Sequence, residues 1–106
     1  MSSVAGNLNN LEEMKEHASE AADLLKALAN ETRLMILCSL AGQEMSVGEL
    51  NQKVRLSQSA LSQHLAILRR DKLVQTRRKS QTIFYSLADT RSSKIIDVLR
   101  QLFCND

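Results

Sequence analysis

Residues 56–70, LSQSALSQHLAILRR, leave little freedom in how they fold. Leu61, Leu65 and Leu68 recur at i, i+4 and i+7, which makes one apolar stripe on a helix. Ser57 stands one residue ahead of that helix, in position to cap it. The opposite face holds Gln58, Ser59, Ser62 and Gln63, and the helix ends in Arg69 and Arg70. A merely solvated face draws on Lys and Glu; here short hydroxyls and amides run without an acid until Asp71. Amides pair with adenine edges, hydroxyls with bases or phosphates, and arginines with phosphates or guanine. The segment reads as a helix built to lie in a duplex groove.

Its neighbours agree with that reading. Ser46 is placed to cap a short helix carrying Val47, Leu50 and Val54, and a turn at Arg55-Leu56 leads into the helix capped by Ser57. Two helices joined by about three residues have helix-turn-helix proportions. Beyond Arg70 the periodicity changes. Leu73–Arg78 and Thr82–Leu87 are rich in Val, Thr, Ile, Phe and Tyr, and Lys79-Ser80-Gln81 separates them. This predicts a two-stranded hairpin with a basic tip, a wing.

Upstream, Leu11, Met14, Ala18, Ala21, Leu25 and Leu28 alternate steps of three and four, a seam suited to lengthwise packing on another helix. That helix is expected to end at Ala29. Asn30 then caps a second helix with Glu31 in its first turn; Leu34, Ile36, Leu37 and Leu40 make it apolar on most sides, and Gly42 ends it. A last helix starts at Asp89 or Thr90 and carries Ile95, Ile96, Val98, Leu99, Leu102 and Phe103. With no proline, three glycines and three aromatic residues, the whole is expected to be mainly α with a small β-hairpin wing. The expected organisation is a disordered tail over residues 1–9 and one winged helix-turn-helix domain over 10–106. A core of this size cannot hide both terminal apolar faces, so a homodimer through the N- and C-terminal helices is expected.

The net charge of +2 conceals a segregation. Residues 1–31 hold six acids against two lysines, net −4, while residues 51–81 hold eight bases against Asp71 alone, net +7. Alone, a basic run is as readily a solvated surface; beside an amide-rich helix it is the footprint of a polyanion partner. The longest strictly apolar run, Leu34–Cys38, is far too short to span a bilayer, and no cleavable signal pattern opens the chain, so no membrane partner and a cytoplasmic location are expected.

Three stretches carry a resemblance to a known family: LKALANETRLMIL (25–37), SVGEL (46–50) and LSQSALSQHL (56–65), with TIFYSL (82–87) as the second wing strand. Together they resemble the ArsR/SmtB family of winged-helix regulators, well over residues 22–88 and by position at the ends. The resemblance implies a dimer whose two reading helices enter successive major grooves of an imperfect palindrome, about 34 Å apart. It implies DNA contacts from Ser57, Gln58, Ser59, Ser62, Gln63, His64, Arg69 and Arg70, and from Arg77, Arg78, Lys79 and Gln81 of the wing. Metal sensing, common in that family, is not expected here. Ser46 and Gly48 stand where its Cys-x-Cys pair would be, and Asp89, Arg91, Leu102 and Asn105 where its second ligand set would be. No metal and no cofactor are expected.

The chain does keep Cys38 and Cys104. On its own, a cysteine inside MILCSL is most often an inert core residue. The resemblance is to a thiol-responsive branch of the family, and it implies that the two thiols couple under oxidants or sulfur donors and weaken DNA binding. It also implies activation or anti-silencing of haemolysin or other virulence genes. A direct disulfide needs Cα atoms roughly 4.4–6.8 Å apart, and in the cytosol such a bridge is transient. Two alternatives stay open: a constitutive DNA-binding regulator with inert cysteines, and a winged helix that docks protein. His64, at the edge of the apolar stripe, reads either as a packed side chain or as a base contact. His17, with Glu13 and Glu20 at helical spacing, reads as surface pairing. An enzyme is not expected, since the sequence has no Cys-x-x-Cys, glycine-rich phosphate loop or paired-carboxylate site.

Overall fold

Three side-chain caps punctuate the helical part of the chain. Asn30 accepts the Arg33 amide at 3.0 Å and opens a helix over Glu31–Ser39. Ser46 and Glu49 form a reciprocal capping box that opens Val47–Val54, the Glu49 carboxylate accepting the Ser46 amide at 2.8 Å. Ser57 accepts the Ala60 amide at 3.2 Å and opens Gln58–Arg70. The computed structural model describes residues 8–88 and 90–104. In chain order the elements are α1 (Leu8–Leu28), α2 (Glu31–Ser39), β1 (Met45–Ser46), α3 (Val47–Val54), α4 (Gln58–Arg70), β2 (Val74–Lys79), β3 (Thr82–Leu87) and α5 (Thr90–Phe103).

The mainly helical winged-helix fold is the one the periodicities predict, with differences of detail. α1 begins at Leu8, inside the tail expected over residues 1–9, because adding a residue to an established helix costs little even through Asn9-Asn10. Residues 1–7 lie outside the described residues, as does Asp89, one of the two expected starts of the last helix; α5 begins at Thr90. The wing is wider than a hairpin. β1 adds a third antiparallel strand in the order β1-β3-β2, with Met45 opposite Tyr85 and Ser46 opposite Phe84. Lys79 pairs with Thr82 and so belongs to β2 rather than to the turn, leaving Ser80-Gln81 at the tip, where Ser80 is left-handed (φ 56).

The α4 stripe forms the centre of the core. Leu61, Leu65 and Leu68 are buried with Ile36 and Leu37 of α2, Leu50 of α3 and Ile96 of α5. α5 is tied to the root of the wing by the buried Ser92 hydroxyl, which donates to the Leu73 carbonyl at 3.1 Å. The terminal helices keep apolar surface in solvent. Leu11, Met14 and Leu25 of α1 are exposed, as are Val98, Leu102 and Phe103 of α5, the last at 79%. Among the described residues no helix is long and apolar enough to cross a membrane.

Candidate nucleic-acid interface

The turn into α4 is built from backbone strain and one side chain. Arg55 ends α3 in the left-handed region (φ 52), with its amide bonded to the Asn51 carbonyl at 2.8 Å. A non-glycine residue there costs about 1–3 kcal/mol. The Asn51 amide group donates to the Leu56 carbonyl at 2.6 Å, closing the loop over that strained residue. Asn51 therefore aims α4, a role its sequence neighbours do not advertise. A polar residue on the last turn before a three-residue connection was the available signal.

Burial of the leucine stripe turns the opposite face outward. Gln58, Ser59, Ser62 and Gln63 are all exposed, and so is Arg69 at the end of the helix. Ser62, Ala66 and Arg69 line a groove whose other wall includes Tyr85 of β3 and Val47 of α3. The polar face of α4 and the root of the wing thus border one depression. Arg78, Lys79 and Gln81 are exposed further out on the wing, their side chains without a hydrogen bond or close ion pair among the described residues, although the Lys79 charge helps to lower the Glu44 carboxyl.

Other side chains expected at the interface have intramolecular partners. Ser57 is the α4 cap, its hydroxyl also 3.5 Å from that of Ser59. His64 is half-buried, and its Nδ1 accepts from Arg33 Nη1 at 3.5 Å. Arg33 also donates through Nε to the Ala27 carbonyl at 2.9 Å and through Nη2 to the Lys26 carbonyl at 3.3 Å, satisfying the end of α1. It joins α1, α2 and α4, and a cation following a helix end is the signal that would have found it. Arg70 forms a fork with Asp71 at 3.1 and 3.3 Å, and that carboxylate, with Asp23 further off, pushes the guanidinium up from its ordinary value. Arg77 lies over the Phe84 ring and binds Glu44, which holds the Glu44 carboxyl below the usual carboxylate range.

The two thiols lie apart from this face. Cys38 is half-buried on α2 and Cys104 is exposed just after α5, its amide bonded to the Arg100 carbonyl at 2.8 Å. Burial pushes the Cys38 thiol up, the neighbouring Cys104 adds to that, and Arg100 opposes it. Among the described residues no group of three or more His, Cys, Asp or Glu is arranged to hold a metal ion. His17 instead pairs with Glu20 at 2.9 Å on the surface of α1.

Comparison with known proteins agrees with this geometry. Residues 30–76 match the family described as "Bacterial regulatory protein, arsR family". The chain is 56% identical over 95 residues to the transcriptional activator HlyU of Vibrio cholerae serotype O1, covering 90% of this chain and 88% of that protein. The structure of reduced HlyU from Vibrio cholerae N16961 superposes with a TM-score of 0.83 at 54% identity, covering 89% of this chain and 99% of that one. The transcriptional repressor BigR from Xylella fastidiosa superposes with a TM-score of 0.80 at 41% identity, covering 90% and 97%. These relatives are regulators of transcription, not enzymes. With a winged helix, an exposed amide-rich α4 and identity of this extent along most of its length, the chain belongs to the ArsR family of bacterial transcriptional regulators.

Proposed function

We propose that the chain acts as a homodimer that reads an imperfectly palindromic duplex with α4 and grips the flanking backbone with the wing. The observation that carries this reading is the exposed Gln58, Ser59, Ser62 and Gln63 face of α4, whose Ser62 borders a groove reaching Tyr85 at the root of the wing, together with the exposed Arg78 and Lys79 further out on that wing. The exposed apolar residues of α1 and α5 supply what a second copy would cover. Activation is favoured over repression, because in superposition identity to HlyU, named an activator, is 54% against 41% to the repressor BigR. Haemolysin and other virulence promoters are the target class. Titration of a labelled genomic promoter fragment, with sedimentation of the complex, tests the reading. It predicts two chains per site and an affinity that falls steeply with salt. A protein that stays monomeric, or ignores duplex at low salt, would contradict it.

The same reading extends to the thiols. A peroxide oxidises the exposed Cys104 to a sulfenic acid with release of water; Cys38 then displaces the hydroxyl as a second water, leaving a disulfide and two electrons on the peroxide oxygens. A persulfide donor transfers its outer sulfur to Cys104 and leaves as a thiol; Cys38 then attacks the inner sulfur and expels hydrogen sulfide, giving the same disulfide. Support comes from the exposure of Cys104, from the influence of its charge on the Cys38 thiol, and from a relative solved in a form described as reduced. A bridge from α5 to α2 shifts a dimer helix and lowers DNA affinity. Intact-mass analysis after peroxide treatment is expected to show wild type two hydrogens lighter, and no such species in Cys38→Ser or Cys104→Ser. Wild type that remains reduced and DNA-bound would identify a constitutive regulator with inert cysteines.

A further inference from the structure

Arg77, Arg78 and Lys79 are consecutive in β2; among the described residues Arg77 alone of the three has a side-chain hydrogen bond within the fold, while Lys79 acts on Glu44 only through its charge. Its guanidinium sits 5.2 Å from the centroid of the Phe84 ring. From there it reaches across β3 to the segment before β1, where Nε donates to Glu44 Oε2 at 3.2 Å and Nη2 donates to Glu44 Oε1. The register explains the reach: Phe84 is opposite Arg77 on one side and opposite Ser46 on the other, so the side chain spans the sheet. A carboxylate presents to the arginine fork the same two acceptors that a phosphate would. The fork is therefore occupied by an internal anion on the surface that faces outward, with both partners partly exposed.

We propose that Glu44 is a positioning residue of the DNA interface: it occupies the Arg77 fork and withholds one backbone contact per protomer, so that the wing grips phosphate through Arg78 and Lys79. The proposal rests on the duplex-binding reading above. A partly exposed ion pair contributes little to stability, so the pair can be opened without unfolding the wing. Its effect is expected in the set-point of affinity and in salt dependence, both sequence-independent quantities.

The test measures binding of the full chain to a labelled mixed-sequence duplex across a range of monovalent salt, for wild type, Glu44→Gln, Arg77→Gln and the double variant. Glu44→Gln is expected to steepen the slope of log affinity against log salt by about 0.9 per protomer, about 1.8 for the dimer, and to bind about sixtyfold tighter at roughly 0.1 M salt. Arg77→Gln is expected to leave the wild-type slope unchanged, yet to remove the full increment in the Glu44→Gln background. A mere change of net charge would instead move the slope equally in both backgrounds, and that result overturns the proposal. So does a Glu44→Gln protein with the wild-type slope, whether or not its melting point falls. A wild type that binds no duplex removes the regulator reading and this proposal together; equal slopes in a wild type that binds remove this proposal alone.

Discussion

Leu61→Ala is expected to destabilise the fold by about 2–5 kcal/mol, the range for truncating a leucine in a packed interior. Leu61 is fully buried at the N-terminal end of the α4 stripe, in the core cluster that also holds side chains from α2, α3 and α5. α2 and α3 are held by their caps and α5 by the Ser92 bond to Leu73, so they cannot collapse fully into the space left behind. Domains are stable by only about 5–15 kcal/mol, so this single change removes a large part of the total. Urea unfolding followed by circular dichroism checks it, with the midpoint falling and the slope preserved. A loss under about 1 kcal/mol would mean that α4 is not anchored as described. DNA binding is expected to weaken in the same variant, since a helix free to rock on its core presents its outer face imprecisely.

Gln63→Ala separates reading from folding. The side chain is exposed on the polar face of α4, so the melting point is expected to stay where it is. A lost bidentate amide–adenine contact costs about 1–3 kcal/mol against the preferred duplex and relaxes preference at one base position. Mobility-shift titrations of both proteins against a set of single-base operator variants measure this directly. Identical base preferences in wild type and variant would place Gln63 off the base edges. Arg78→Ala gives the complementary pattern: its loss is expected to weaken all duplexes alike and to flatten the salt dependence by about one unit per lost contact.

What was legible in the sequence divides along a physical line. α4 was readable because its order is local: a leucine stripe, a serine cap and an amide face all repeat within four residues. The caps at Asn30, Ser46 and Ser57 were readable for the same reason. β1 was not, since two residues are too few to show alternation, and its pairing with β3 is decided by the wing itself. Partnerships across the chain were equally hidden. The engagement of Arg77 by Glu44 and of His64 by Arg33 joins residues more than thirty apart, so each of these wing and helix side chains looked free until the fold brought its partner close. Asn51 shows an intermediate case: its bond to Leu56 is local, but the left-handed Arg55 it spans carries no glycine to announce the turn.

The most direct test follows the backbone amide resonances of the reduced protein as a duplex is titrated in. Perturbations are expected to gather on Gln58, Ser59, Ser62 and Gln63 and on the wing from Arg78 to Gln81, with the terminal helices little changed. Shifts confined to α1 and α5, with α4 and the wing silent, would contradict the account.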